Sequence, residues 1–465
     1  MSETPVTSVS RRRLLILCYF FPPLAGGGVH RVLSFVRELP RFGWDCTVIC
    51  AGRNDYWVTD ETLEAGIPKG TEVIRVQGGS ALSAWLRLRG ARGARSGQRS
   101  GATFSWLRKL SDWWLLPDSY AGWAKRAARA ARRRLAAGGI DAVLSSSPPD
   151  SVHLAALASR GPTSPPWVAD FRDPWVGLYL REPASAWHRA RQAALERRVL
   201  EGADRVLVAS ATHAAHLGER SGAKTNAVTH LPNGYAPDEC AGDAERGVAA
   251  SAGAGAERPA NAGPGPACGP APHFVAAFTG TLSMMPETEV FLEAVHELLA
   301  RRPELRRRFR ARLAGPFDLG YQDRAVALGL RGIVEFTGPL AHAESLALQR
   351  AADLLLLWKP PGMPTMVPGK LYEYLASGRP VLALLPAGDE AADLAVRGGA
   401  VRIDPGNRVA LSAELERQVD LRAGEGPRSA APPAWLAEHA RPALARRLAG
   451  ELDALAGASR ARGRA

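Results

Sequence analysis

At 465 residues the chain is too long for one ordinary hydrophobic core, so two domains are the default. A hydrophobic fraction of 46% and a charged fraction of 23% exclude a disordered chain, and no run reaches the roughly 18 apolar residues of a membrane span. The formal net charge is +13, and the five cysteines are scattered without a C-x-x-C pair, which argues against a disulfide framework or zinc site and suits a reducing cytoplasm.

The first apolar stretch, SRRRLLILCYFFPPLAGGG, has the basic start and apolar run of a secretory signal. The run Leu14–Phe21 is only eight residues, closes on Pro22-Pro23, and lacks a following small-x-small cleavage site. Next, VHRVLSFVRELPRFG places Val29, Val32, Leu33, Val36 and Leu39 on one helical face and closes on Gly43, and DCTVICA reads as a strand. The expectation is a strand–loop–helix–strand unit, the beginning of a folded domain.

LLILCYF, DCTVICA, EVIRV, DAVLSSS, WVADF and DRVLVAS are continuous apolar runs, as parallel strands covered on both faces require. They mark an N-terminal domain over residues 11–237. Inside it, residues 85–134 carry thirteen Arg or Lys against Asp112 and Asp118, together with Trp85, Trp106, Trp113, Trp114 and Trp123. Interleaved cations and Trp suit the interface of an anionic membrane; a solvated Arg-rich helix surface is the alternative. No nucleic-acid-binding module accompanies the charge, so nucleic acid is not an expected partner. Residues 241–271 are almost all Ala, Gly and Pro and read as a linker.

The alternation restarts over 272–432. FVAAFTG, RARLAGP, GIVEFTG, DLLLLW and PVLALLP read as strands, with helices such as ETEVFLEAVHELLARRP and AESLALQRAA between them. A helix over 433–456 closes the chain and has the option of crossing back to the N-terminal domain. The fold class is α/β, with two Rossmann-like, doubly wound domains facing a cleft at the carboxyl ends of their strands.

Four clusters fall at strand ends. In FPPLAGGGVHR, Gly26, Gly27 and Gly28 let backbone approach a ligand and open a helix, with His30 and Arg31 adding positive charge; an anion site or a plain tight turn both fit. The dinucleotide fingerprint is broken, because Arg31 stands where its third glycine belongs. In WVADFRDPWVG, Asp170, Arg172 and Asp173 form either a structural ion-pair knot or a contact to sugar hydroxyls or an acceptor. In FTGTLSMMPE, Gly280 and Thr281 occupy a phosphate-type turn that lacks an Arg or Lys. In MPTMVPGKLYEYLASGRP, Lys370, Glu373 and Ser377 recur at helical spacing on a helix that opens after Pro368-Gly369 and stops at Gly378. A carboxylate one turn into that helix can accept two ribose hydroxyls, and Lys370 at its mouth can reach a phosphate.

YFFPPLAGGGVHR, VADFRDPW, HLPNGY, VEFTGPLAHAESLALQRAADLLLLW and GKLYEYLASGRPVLA, in that order, resemble segments of the retaining nucleotide-sugar glycosyltransferases of the two-Rossmann (GT-B) type, family 4, and most of all its cell-surface polysaccharide branches. The resemblance implies transfer of a sugar from a nucleotide-diphosphate donor to an acceptor hydroxyl, on a lipid-linked glycan, with retention and without a metal or other cofactor. It implies donor binding by Glu373, Lys370, Thr365, Gly369, Gly280, Thr281 and Gly26–Gly28, catalytic roles for Lys370, Asp173 and Arg172, and an acceptor side at Asp170, His30 and Arg31. It also implies a cytoplasmic protein, peripheral on the inner face of the membrane. Glu373 matches the second glutamate of the family's Glu-x7-Glu motif, but the first is replaced by Thr365. The diphosphate-gripping Arg and Lys are replaced by Thr281 and by Met285 or Pro286, and the strand-end His by Ser146 or Ser147. A non-catalytic GT-B partner in polysaccharide assembly and a nucleotide-sugar epimerase are the alternatives.

Overall fold

The apolar runs become the strands of two parallel sheets. The computed structural model describes residues 11–24, 26–53, 55, 59–78, 116–177, 185–221, 228–240, 273–426 and 428–462. The linker reading at 241–271 and most of the Trp-rich stretch, with Trp85, Trp106, Trp113 and Trp114, lie outside the described residues.

The first sheet contains β1 (Arg12–Cys18), β2 (Trp44–Ala51), β3 (Glu72–Val76), β4 (Ala142–Ser147), β5 (Trp167–Phe171), β6 (Arg205–Val208) and β7 (Val228–His230), in the order β3-β2-β1-β4-β5-β6-β7. The second contains β8 (Phe274–Thr279), β9 (Phe309–Ala314), β10 (Val334–Gly338), β11 (Leu354–Leu357), β12 (Val381–Leu384) and β13 (Val401–Ile403), in the order β10-β9-β8-β11-β12-β13. Every pairing in both sheets is parallel. Around the first sheet lie α1 (Gly27–Glu38), α2 (Ala121–Ala136), α3 (Ser151–Ser159), α4 (Ala186–Gly202) and α5 (Ala211–Ser221); α6 (Pro237–Cys240) is a single turn on the way out. The second half holds α7 (Glu287–Arg301), α8 (Leu319–Ala327), α9 (His342–Ala351), α10 (Gly369–Ala376), α11 (Glu390–Arg397) and α12 (Arg408–Glu425), and α13 (Arg441–Arg462) ends the described chain.

Parallel strands fed by helical crossovers must bury both faces, and β1 shows how. Successive side chains point to opposite faces. Leu14 and Ile16 join α1 in one core, while Leu15 and Leu17 join Trp123 and α3 in another. The helical face Val29, Val32, Leu33, Val36 and Leu39 is buried against β1 and β2. β11 divides in the same way, with Leu354 and Leu356 in one core of the second sheet and Leu355 and Leu357 in the other. Trp123 is fully buried and donates Nε1–H to the Val76 carbonyl at 3.2 Å. It is a core residue of α2, which corrects its assignment to a membrane interface. The exposed stripe of α2 is basic, with Lys125, Arg126, Arg129, Arg132 and Arg133.

The chain leaves the first sheet through residues 231–240 and comes back through residues 433–441. The two passages pair: Tyr235 N donates to His439 O at 3.2 Å and Arg441 N to Tyr235 O at 2.9 Å. α13 then lays Leu444, Leu448, Leu452 and Leu455 into the core of β1 and α1, and Asp453 accepts from Trp44 Nε1 at 2.7 Å.

One buried ion pair ties this half together. Arg31, on α1, donates from Nη2 and Nε to both Asp170 oxygens at 2.8 and 2.9 Å, and also to the carbonyls of Leu231 and Pro232 at 2.9 Å each. Asp170 is fully buried on β5 and also accepts from Ser146 Oγ on β4 at 2.8 Å. Removing one partner strands a buried charge. Asp170→Asn should therefore lose about 3–5 kcal/mol of stability in urea unfolding. Adding Arg31→Met to it should cost less than the sum of the single changes.

Candidate active site

In doubly wound sheets a ligand crevice opens outside the carboxyl ends of the strands, where successive crossovers turn to opposite sides. In the first sheet that point lies between β1 and β4, in the second between β8 and β11. The Gly26–Gly28 turn follows β1, and the Gly280–Thr281 turn follows β8. Each turn thus follows the strand at the switch point of its own sheet.

On the C-terminal side the centre of the site is Lys370, in the first turn of α10. Its ammonium stands 3.3 Å from the centroid of the Phe278 ring, and Phe278 in turn stacks on Trp358 at 4.4 Å. Among the described residues no carboxylate pairs with Lys370. Burial pushes its pKa well below the usual ammonium range, and the Glu373 charge opposes this only in part. A half-buried cation on an aromatic face, at a helix N-terminus without a side-chain cap, is arranged to meet an anion. Gly369 opens that helix. Gly280 has φ +136°, a conformation that favours glycine, and a Cβ there would press on Lys370 Nζ at 3.1 Å. Thr281 is exposed beside it.

Glu373 follows one turn after Lys370. Its Oε2 accepts from Gln349 Nε2 at 3.4 Å, and its Oε1 lies 3.8 Å from Arg441 Nη2. Ser377 is taken up locally, donating to Tyr374 O at 2.7 Å at the end of α10. Thr365 stands in the loop before α10, which is pinned at two carbonyls: Ser210 Oγ, from the first domain, donates to Thr365 O at 2.6 Å, and Lys359 Nζ donates to Met366 O at 2.8 Å. Lys359 is itself buried against Asp389 at 2.6 Å.

On the N-terminal side, Arg172 pairs with Asp173 at 2.6 Å just beyond β5, and its guanidinium lies against Gly28 so closely that a Cβ there would collide with it. Gly26–Gly28, Arg172 and Asp173 are thus brought together. Asp170 and Arg31 are not part of that surface. With 0% and 5% of their side chains exposed, they are spent on each other, which corrects their assignment to the acceptor side. Ser147 Oγ, at the end of β4, is buried without a hydrogen-bond partner among the described residues, whereas Ser146 serves Asp170. His153 is a core residue, bonded to Ser145 at 2.8 Å and stacked on Phe171, with burial pushing its pKa down to about 3.

His30 faces the other domain. Its ring lies 4.2 Å from that of His342, at the start of α9. Burial, then the charges of His342 and Arg441, push its pKa well down, with Glu239 opposing. His342 Nε2 is 3.1 Å from Glu239 Oε2, and its backbone N–H donates to Asp60 at 3.2 Å. Glu239 also receives Arg37 at 2.9 Å and Arg441 at 3.2 Å. Burial alone would raise the Glu239 pKa, but the bond from His342 and the charges of Arg441 and His342 hold it well below the usual carboxylate range. Elsewhere between the two halves, Glu390 caps the N-terminus of α5, accepting from Ala211 N and Thr212 N at 2.8 Å each. Sequence reading missed Gln349, Glu239, His342, Glu390 and Arg441, because each is an ordinary polar residue until the fold brings its partner to it.

Residues 26–234 match the model of the glycosyl transferase 4-like domain. Residues 26–234 therefore carry a glycosyl transferase 4-like domain, the domain of a glycosyltransferase. No curated sequence matches it. Solved structures share its two-sheet GT-B fold over nearly the whole length. A glycosyltransferase from Rickettsia africae is 12% identical with a TM-score of 0.59, covering 96% of this chain and 98% of its own. HepE from Anabaena, solved with UDP and glucose, is 15% identical with a TM-score of 0.55, covering 96% and 97%. WaaG, a glycosyltransferase involved in lipopolysaccharide biosynthesis, is 16% identical with a TM-score of 0.53, covering 96% and 98%.

The depressed pKa of Lys370 gives the glycosyltransferase a pH signature. A bound diphosphate favours the charged ammonium, so binding takes up a proton wherever the free lysine is neutral. Above about pH 7.5, where a terminal phosphate no longer titrates, the affinity of any nucleoside diphosphate held by Lys370 should fall as pH rises. Calorimetry in buffers of different ionisation enthalpy should show proton uptake that vanishes in Lys370→Met.

Proposed function

We propose that this glycosyltransferase takes a sugar from a nucleoside-diphosphate donor and passes it, with retention, to an acceptor hydroxyl on a lipid-linked glycan. The observation that carries the donor side is Lys370: a lysine with no paired carboxylate among the described residues, at a helix N-terminus, one turn from the carboxylate of Glu373 and against Gly280. Glu373 takes the ribose hydroxyls. Lys370, Gly280, the Thr281 hydroxyl and the backbone N–H groups of Gly369 and Lys370 take the diphosphate, whose negative charge grows as the glycosyl bond loosens. They stand in for the Arg and Lys missing around Thr281. As the bond to the leaving phosphate breaks, a phosphate oxygen accepts the proton of the incoming hydroxyl, so no separate base is required. Thr365 meets the sugar through the backbone of its pinned loop.

Gly26–Gly28 and the Arg172–Asp173 pair face the transferred sugar and the acceptor from the other wall, with His30 at the seam. Binding both substrates between two domains converts the reaction to an intramolecular one. A lipid-linked acceptor agrees with the basic outer stripe of α2 and with Trp187, 63% exposed at the start of α4. Among the described residues no helix is long and apolar enough to cross a membrane, so contact with the lipid surface would be peripheral.

A thermal-shift panel of UDP, GDP, dTDP, ADP and CMP tests the donor reading. A nucleotide at ~100 times its Kd stabilises by about 2.7 kcal/mol. One clear shift, reduced by Glu373→Gln, is the expected result; no shift with any nucleotide would favour a non-catalytic partner. Lys370→Ala should lower kcat and Glu373→Gln mainly raise KM for the donor. Near-unchanged kinetics in both variants would sink the assignment. Co-sedimentation with anionic vesicles should fall as salt rises, and binding that ignores salt would remove the membrane part.

A further inference from the structure

Gln349 is 2% exposed on α9, and nothing in its local sequence marks it out. A buried amide must find partners, and those it has are informative. Its Nε2 donates to Thr279 Oγ1 at 3.0 Å and is 3.4 Å from Glu373 Oε2. Thr279 is the last residue of β8, immediately before Gly280, and is fixed in turn: its N–H donates to the Tyr374 hydroxyl at 2.8 Å, and its Oγ1 is 3.2 Å from the same hydroxyl. One amide nitrogen, with two hydrogens, therefore ties the strand end that carries the phosphate-type turn to the carboxylate on α10. Across the carboxylate, Arg441 Nη2 stays 3.8 Å from Oε1, beyond hydrogen-bond reach. Glu373 is thus oriented from one side while lone pairs remain free on the other.

We propose that Gln349 is a positioning residue for the donor: it sets the orientation in which Glu373 presents its carboxylate to the 2′ and 3′ hydroxyls of the ribose. The inference rests on the reading of Glu373 given above. It makes Gln349 responsible for recognition of the ribose diol without touching the nucleotide, and couples that diol to the register of the Gly280 turn through Thr279.

The test compares UDP, GDP and ADP, each with its 2′,3′-dideoxy form, by titration on the full chain. For whichever ribonucleotide binds, wild type should prefer the diol. Gln349→Leu should weaken the ribonucleotide about five- to tenfold and leave the dideoxy form within about twofold. Glu373→Gln should show the same selective loss, and the double variant should lose no more than Glu373→Gln alone. Thr279→Val, which keeps the amide but removes its anchor, should show a smaller loss with the same selectivity, and it serves if Gln349→Leu does not fold. Equal weakening of both forms, or additive losses in the double variant, would overturn the role of Gln349. Selective loss in Glu373→Gln with none in Gln349→Leu or Thr279→Val would overturn it while leaving Glu373 in place. If wild type does not distinguish any ribonucleotide from its dideoxy form, the Glu373 reading falls, and this inference with it.

Discussion

The buried pair between Arg31 and Asp170 is the contact on which the first half of the cleft depends. Its guanidinium reaches β5 and the carbonyls of Leu231 and Pro232, where the chain leaves the first sheet, while Ser146 joins Asp170 from β4. Four segments distant in sequence are held by one planar fork. Arg suits this place because a guanidinium supplies five donors in fixed directions, and a Lys could not satisfy a bidentate carboxylate and two carbonyls together. The pair lies on the turn of α1 that follows Gly26–Gly28, so it also sets where the glycine turn opens.

The second constraint is the return of the chain to its first sheet. Because α13 packs into the core of β1 and α1, the two passages between domains lie side by side, and Arg441 is set at their junction. From there its side chain reaches Glu239 on the outgoing passage and approaches Glu373 on α10. With His30 against His342 and Glu390 capping α5, ring contacts and hydrogen bonds also link the two halves. Such contacts are more polar than a domain core, the kind that allows domains to move relative to one another.

The site is asymmetric in charge. On the C-terminal wall Lys370 lies against an aromatic ring and, among the described residues, has no carboxylate paired with it, while on the other wall Arg172 is already paired with Asp173. Charging a partly desolvated lysine is costly unless an anion stands beside it. In the proposed reading the diphosphate therefore lies on the C-terminal wall, even though the loop at Thr281 lacks a basic residue. Neutral hydroxyl groups of sugar and acceptor suit the paired charges opposite.

The sequence by itself determined the two α/β halves and most of their strands. Short continuous apolar runs such as LLILCYF and DLLLLW, spaced between helical patterns, fit strands buried on both faces. It also marked Lys370, Glu373 and Gly280, because helical spacing and strand-end glycines are local signals. β7 and β13, three residues each at the sheet edges, carry too little pattern to be read. Only the tertiary structure decided that Asp170 and Arg31 face each other and not a ligand, that Trp123 is core, and that Gln349 touches Glu373. Charge and aromaticity are visible in a sequence, but which partner satisfies them depends on contacts across 24 to more than 100 residues. Those contacts exist only once both sheets have closed.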